Sequence, residues 1–391
     1  MILSTAGVRS RAEAYPRFSD AEIERRRAAL ARAMGDRRVE HAVLYGANRT
    51  GSAIPWLTRW PVTREALCVF TPGERDLLLV DFYNHVPNAA RMATEAEVRW
   101  AGLEPIETAT HELRRRGAAR ARVGVIGPLP HAAHVALAEA AGEVVEMGAD
   151  YLRLRLVKSA EEIEWLRVGC ELTDRAVEAL GAELRPGLTD NELADICERA
   201  YVPAGGRTHI HYFGITPMSE PAVSVPAQWT SGRRVAAGDA VSCEISASFW
   251  DYTGQVLRTF AVAAEPTPRY REMHAVAEAA FEGVLDRLHP GTPAAELVRA
   301  AEVIEEAGYT TRDDLVHGFV GGYLPPVLGS RSRQLAPIPD LTIEAGMTLV
   351  VQPNVVTEDE TAGVQTGELV LVTELGPERL HGVARGLRTV G

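Results

Sequence analysis

The stretch Asp239–Val262, DAVSCEISASFWDYTGQVLRTFAV, constrains the fold of this chain more than any other. Val241, Cys243 and Ile245 alternate with smaller or polar residues, and Tyr252, Val256 and Phe260 do so more loosely. Between them Trp250–Gly254 supplies aromatic and turn residues. The pattern predicts two antiparallel strands joined by a hairpin. Glu244 sits in the apolar first strand, and Gln255 follows eleven positions later in the second. A hairpin can bring two such residues to one pocket. A carboxylate in an apolar strand is costly to bury unless it is paired, protonated or used. Glu244 therefore has two readings: a structural partner of an arginine such as Arg258, or a buried acid of raised pKa that serves as general acid or base.

Upstream, Asp20 opens a helix to about Met34, capped by Ser19 or Asp20. Strands are expected at His41–Tyr45, Ala66–Phe70, Asp76–Val80 and Arg122–Ile126, with helices near Ile106–Arg116 and His131–Ala141. Strands alternating with helices predict an α/β layer, and no glycine-rich phosphate loop points to a nucleotide. A linker is expected from Ala149 onward, dividing the chain into domains 1–152 and 153–391. Ser159 and Glu162 then have the spacing of a capping box at the head of a long helix. Leu184-Arg-Pro-Gly-Leu-Thr-Asp-Asn-Glu-Leu193 is repeated as Leu288-His-Pro-Gly-Thr-Pro-Ala-Ala-Glu-Leu297. Two copies predict a pseudo-twofold domain rather than a solenoid, with the pocket between its halves.

Composition excludes several partners. A net charge of −12 without a long basic run argues against a nucleic-acid backbone or an anionic membrane. No stretch approaches the length of a membrane span. The N-terminal sequence MILSTAGVRSRAEAYPRF lacks an apolar signal core. Cys68, Cys170, Cys197 and Cys243 show no metal spacing and read as reduced, buried thiols, which fits a cytoplasmic protein.

Five motifs in order resemble the family of methionine aminopeptidase, aminopeptidase P and creatinase. They are Glu244, Gln255 before Arg258-Thr259, the turn His317-Gly318-Phe319, the strand Gly346–Pro353 and the strand Gly363–Thr373. The resemblance covers roughly Leu152 to the C-terminus. It implies an α+β fold: a C-terminal pseudo-twofold "pita-bread" domain preceded by a smaller α/β domain of the creatinase type. The family's peptidases hold two metal ions with two Asp, one His and two Glu. Only His317 is kept outright. Glu244 and Gln255 stand for the two Asp, Gln352 for the first Glu, and Gly367 for the last. An amide has no anionic oxygen and is a poor ligand beside a carboxylate. The substitutions therefore imply a site without metal or other cofactor. Glu368, one residue past Gly367, is the position from which a one-residue shift would restore a carboxylate.

Within the family the metal-free members, creatinase and the similar ectoine hydrolase, resemble the chain more than the peptidases do. Cys243-Glu244-Ile245 and Gly322-Tyr323-Leu324-Pro325-Pro326 carry that likeness. Ala227 stands where those enzymes have a histidine, so their substrates do not carry over. The resemblance implies catalytic roles for Glu244 and His317. It implies substrate contacts from Gln255, Gln352, Gln365 and Tyr323, with Glu368 beside them. His209 and His211 alternate on an expected strand, and His211 is a further pocket candidate. Trp56–Glu65 carries two tryptophans and two arginines, either packed under the α/β layer or forming a contact patch. It resembles the place from which creatinase sends an arginine into the pocket of its partner subunit, and Arg64 matches that arginine best. The expectation is a homodimeric, metal-independent, creatinase-like hydrolase cleaving a C–N bond (amide, amidine or cyclic amidine) in a small polar nitrogen-containing molecule. The alternatives are a non-hydrolytic lyase or cyclase using the same pocket, and a non-catalytic binding module.

Overall fold

A computed structural model describes residues 15–334 and 336–391. The N-terminal segment read above for a signal core lies largely outside these residues. The chain divides into two compact units at Arg155/Leu156. The segment expected as a linker from Ala149 is helical, in α6 below.

The first unit is a six-stranded sheet. Its strands are β1 (His41–Ala47), β2 (Glu65–Phe70), β3 (Asp76–Val80), β4 (Ala96–Trp100), β5 (Arg122–Ile126) and β6 (Glu143–Glu146), in the order β4-β3-β2-β1-β5-β6. β1/β2 and β2/β3 are antiparallel, whereas β3/β4, β1/β5 and β5/β6 are parallel. Its helices are α1 (Asp20–Asp36), α2 (Ala53–Thr58), α3 (Val86–Met92), α4 (Pro105–Arg115), α5 (His131–Ala140) and α6 (Gly148–Leu154). Side chains two apart on each strand, Val43/Tyr45, Leu67/Val69, Leu77/Leu79 and Val123/Val125, form one core with Ala109 and Leu113 of α4 and Leu137 of α5. Ser19 caps α1 by accepting from the Glu22 amide at 3.1 Å. β4, β6 and α3 were not foreseen, because their sequences are short and half-polar. Trp56 and Trp60 are buried; Trp56 packs edge-on against Tyr151 and under Arg26. They belong to the interior of the unit and form no contact patch.

The second unit begins with α7 (Ala160–Glu183), whose capping box is present in full: Ser159 Oγ accepts from Glu162 N, and Glu162 accepts from Ser159 N. α8 (Asp190–Tyr201) follows, with a second capping box from Thr189 and Glu192. Then come β7 (Arg207–Pro217), β8 (Asp239–Phe249), β9 (Tyr252–Thr253) and β10 (Val256–Val262). The second half has α9 (Pro268–Leu285), α10 (Ala294–Ala300), α11 (Val303–Glu306), β11 (Val316–Phe319), β12 (Tyr323–Leu328), β13 (Thr348–Val351), β14 (Asn354–Val356), β15 (Gly363–Gln365), β16 (Gly367–Thr373), β17 (Gly376–Arg379) and β18 (Arg388–Val390). One sheet runs β12-β11-β13-β16-β10-β8-β7. The predicted hairpin is β8/β10, paired antiparallel from Ile245↔Val256 to Ala240↔Ala261.

The pseudo-twofold relation extends beyond the Pro-Gly repeat. Gly187 donates to Val235 O and Gly291 to Ile343 O, each at 2.8 Å. Both glycines have positive φ, 95° and 92°, which a side chain would strain. Thr189↔Arg234 and Pro293↔Thr342 are matching bridges. Ala237-Gly238-Asp239 enters β8 as Ala345-Gly346-Met347 enters β13, and Glu244 and Gln352 stand at equal distances beyond.

Candidate active site

Every residue of β8 is buried, yet from Val241 onward only alternate positions are apolar. Val241, Cys243, Ile245, Ala247 and Phe249 form the side that meets α7 and α8; the Phe249 ring packs edge-on against Trp165 of α7. Ser242, Glu244, Ser246 and Ser248 form the other side. Directly opposed residues in a sheet share a face, so register extends this side across the strands. Glu244 faces Tyr212 on β7 and Leu257 on β10, and Leu257 faces Gly367 on β16. Leu369, two residues on, faces Val350, which faces His317 on β11. Glu244, Gly367 and His317 therefore share one surface, which Gln255 and Gln352 join at the strand ends.

Hydrogen bonds tie this surface into a chain. Gln255 Nε2 donates to Glu244 Oε1 at 2.5 Å and lies 3.5 Å from Gln352 Oε1. Gln352 Nε2 donates to Asp314 Oδ1 at 2.6 Å and to Asp314 O at 3.3 Å. The same Asp314 Oδ1 lies 3.0 Å from His317 Nδ1. Asp314 N donates to Asp313 Oδ1 at 2.9 Å. The Tyr323 ring stacks on His317, 4.0 Å between centroids, and its hydroxyl bonds Asp314. Tyr323 is exposed on the rim, whereas His317 is fully buried.

The electrostatics are those of a shared acidic site. Burial, then the charges of Asp313 and Asp314, push Glu244 up to about 8, against the pull of the Gln255 hydrogen bond. Burial and then Asp314 push Asp313 up to about 6. Burial followed by Asp314, Asp313 and Glu244 raises Tyr323 well above the ordinary phenol range. Gln255 Oε1 and His317 Nε2 are buried without a hydrogen-bond partner.

Asp313 and Asp314 were not foreseen. They sit in the loop before β11, where no periodicity marks them. The Asp-x-x-His spacing of Asp314 and His317 is the one signal available. Gln365, at the end of β15, is fully buried and both side-chain polar atoms lack a partner, while its backbone bonds Thr259.

Two expected pocket residues of the second unit lie elsewhere. Glu368 belongs to the opposite face, with Val256 and Val351 as its register partners. There it accepts from Arg258 at 2.7 Å and from Arg379. No one-residue shift restores a carboxylate at Gly367, and Arg258 serves Glu368 rather than Glu244. Burial opposes ionisation of Glu368, but Arg379 and Arg258 outweigh it and hold the carboxyl below its usual range. His211 opposes Ile245, on the helix side, and its Nε2 meets Tyr201 Oη of α8 at 3.1 Å. Burial pushes it down to about 4. A bulge between Thr208 and Ile210 resets the alternation and gives Tyr212 the place beside Glu244. Arg64, in the first unit, is exposed, pairs with Asp81 at 3.0 Å and lies over the Phe82 ring.

A two-metal centre needs anionic oxygens converging on the ions. Here the amide nitrogens of Gln255 and Gln352 point into Glu244 and Asp314, and an N–H donor cannot ligate a cation. Gly367 has no side chain, and a Cβ there would lie 2.5 Å from Val351 O. Among the described residues no group of His, Cys, Asp and Glu is arranged to hold a metal. The donor set does not fit the two-metal centre of the resemblance.

Comparison with known proteins agrees with this architecture. The sequence profile of metallopeptidase family M24 matches residues 164–374, more than half the chain, and the chain belongs to that family. The Xaa-Pro dipeptidase of Pyrococcus furiosus is 27% identical over 235 residues, which span 60% of this chain and 65% of that relative. An Xaa-Pro dipeptidase structure from Bacillus anthracis superposes with a TM-score of 0.76 at 21% identity, over 95% of this chain and 99% of the other. A recombinant prolidase from Thermococcus sibiricus gives 0.81 at 17% identity, over 95% and 100%. The fold is thus the pita-bread fold preceded by an N-terminal α/β unit. Among the described residues no helix is long and apolar enough to cross a membrane.

Proposed function

We propose that the second unit carries a metal-independent hydrolase site of the creatinase-like type, cleaving a C–N bond in a small polar nitrogen-containing molecule. One observation carries this reading: the chain Glu244–Gln255–Gln352–Asp314–His317 is closed by amide donors where a metallopeptidase would present carboxylates to ions. Asp314 takes the Nδ1 proton side of His317, which leaves the buried Nε2 as an acceptor. His317 Nε2 removes a proton from water as its oxygen bonds to the substrate carbon. Glu244, pushed up to about 8, is mostly protonated at neutral pH and gives its proton to the departing nitrogen as the C–N bond breaks. The imidazolium then releases its proton to solvent, and Glu244 regains one. Gln352 holds Asp314 in place, and Tyr323 closes the rim.

A homodimer in which Arg64 of one subunit anchors a substrate carboxylate in the other's pocket extends this reading. The test is turnover of small amides, ureido and amidino compounds and Xaa-Pro dipeptides by the wild type and Glu244→Gln. The variant should bind substrate with turnover lower by roughly 10²–10⁴-fold. Comparable turnover in the variant removes Glu244 from the mechanism. Chelator-sensitive cleavage of Xaa-Pro dipeptides alone would replace this reading with a metallopeptidase, and binding without turnover with a binding module.

A further inference from the structure

His317 has to meet water and substrate at Nε2, yet its side chain is sealed. The residue is fully buried, and Nε2 has no hydrogen-bond partner. Glu244, Gln255, Gln352 and Asp314 are buried as well. Two rings lie against the imidazole. Phe319 packs edge-on, 5.6 Å between centroids, and is itself buried, so it is a fixed wall. Tyr323 lies nearly flat on the imidazole, with 20° between the planes, and is 53% exposed. One side chain thus separates His317 from solvent on this side. The Tyr323 hydroxyl bonds Asp314, which also accepts from Gln352 and meets His317. The backbone around Tyr323 is uneven in its freedom. Gly321, with φ 151°, is wedged against the tip of the β8/β10 hairpin, where a Cβ would run into Asp251 O. Gly322 lies in open space, with no atom within 4 Å of a Cβ built there. Pro325 and Pro326 follow and stiffen β12. β12 is an edge strand, so ladder bonds hold it from one side alone.

Resting on the hydrolase reading above, we propose that Tyr323 is a gate on the site: stacked on His317 it shuts the imidazole off, and substrate enters when the ring swings out about Gly322 and its hydroxyl leaves Asp314. Gly321 stays fixed against Asp251, and the two prolines limit movement beyond Leu324, so the swing is confined to the start of β12. Ring stacking and one hydrogen bond hold the closed state. Both are modest interactions, so opening does not require the sheet to unfold. Closed again behind a bound substrate, the ring keeps bulk water from Glu244 and His317 while the C–N bond breaks.

The test reads access to His317 directly and needs no substrate. Diethyl pyrocarbonate acylates an unprotonated imidazole nitrogen that it can reach. The full-length protein is treated at pH 8, and each histidine is followed by peptide mass spectrometry. In the wild type His317 should react about tenfold or more slower than the exposed His131 and His134, because its rate scales with the open fraction. Tyr323→Ala should raise the His317 rate about tenfold or more. Tyr323→Phe keeps the ring, loses the bond to Asp314 and should raise the rate less. His274 and His381, buried in the same unit, should stay slow in both variants. A wild-type His317 as fast as His131, an unchanged rate in Tyr323→Ala, or a rise shared with His274 and His381, which is the mark of unfolding, overturns the proposal. Glu244-dependent turnover with an ungated His317 would leave the hydrolase reading standing without this inference. A gated His317 in a protein that turns over no substrate would do the reverse.

Discussion

Glu244 and Glu368 are buried glutamates on opposite faces of one sheet, and the same isosteric change should move stability in opposite directions. Glu368→Gln removes the counter-charge of Arg258, which is 2% exposed. Arg258 keeps its bonds to Gly367 O at 2.7 Å and Ala384 O at 3.1 Å, but its charge is left uncompensated. Breaking a buried pair from one side costs about 3–5 kcal/mol. For a unit of this size that is a fall in melting temperature of roughly 6–20 °C. Glu368 is held below its unfolded pKa, so its contribution is present at neutral pH and lost as pH falls through the folded value. The deficit of Glu368→Gln should shrink in acid. Glu244 is the reverse case: its folded value, about 8, lies above the ordinary glutamate value of 4.5. Between those values the folded state holds a proton that the unfolded state has released, so stability falls as pH rises. At pH 7 that cost is on the order of 3 kcal/mol, and an amide escapes it. Glu244→Gln should match the wild type near pH 4 and exceed it by up to about that amount at pH 7. Urea unfolding of both variants at pH 4, 7 and 9 reads these signs. Loss of stability in Glu244→Gln at pH 7, or a Glu368→Gln variant within about 1 kcal/mol of the wild type there, would refute the assignment of the two faces.

Elemental analysis after mild purification should find no stoichiometric transition metal at the Glu244/His317 site; two equivalents of manganese, zinc, iron or cobalt with chelator-sensitive activity would contradict the reading of Gln255, Gln352 and Gly367. Mixing Arg64→Ala chains with Glu244→Gln chains, each inactive alone, should restore part of the activity in hybrid dimers. Subunit exchange without recovery, or a fully active monomer, would remove Arg64 from the site.

Much of the fold was legible because its signals are local. The alternation of Val241, Cys243 and Ile245 marked β8, Ser159 with Glu162 marked the start of α7, and the repeated Pro-Gly marked both halves. Glu244 and Gln255 were paired from their spacing, and they touch. The errors arose where one residue decides a face. Gly367 and Glu368 are neighbours on a strand, so only one of them reaches the pocket, and register alone shows which. His211 lost its place to Tyr212 through a bulge that no residue in Thr208–Tyr212 announces. The tryptophans at 56 and 60 have the composition of a contact patch, yet composition cannot separate a patch from a core.

Asp313 and Asp314 show how charge can leave a sheet and return from a loop. Side chains on strands that line a pocket are fixed by the ladder, so changing Asp or Glu to an amide there alters charge without altering place. Glu244 and Gln352 occupy equivalent positions in the two halves, and only the first keeps a carboxyl group. The loop before β11 supplies acid in compensation, and Asp314 is bound to the sheet by Gln352 itself. An amide is the group that makes this possible. Its nitrogen donates to a carboxylate while its oxygen stays available to a ligand, as Gln255 does beside Glu244. A carboxylate in the same place would accept only, and Asp314 would lose the amide donor that ties it to the sheet. The glutamines and the loop acids therefore act as one device, in which removing an amide and removing an acid should have non-additive effects on turnover.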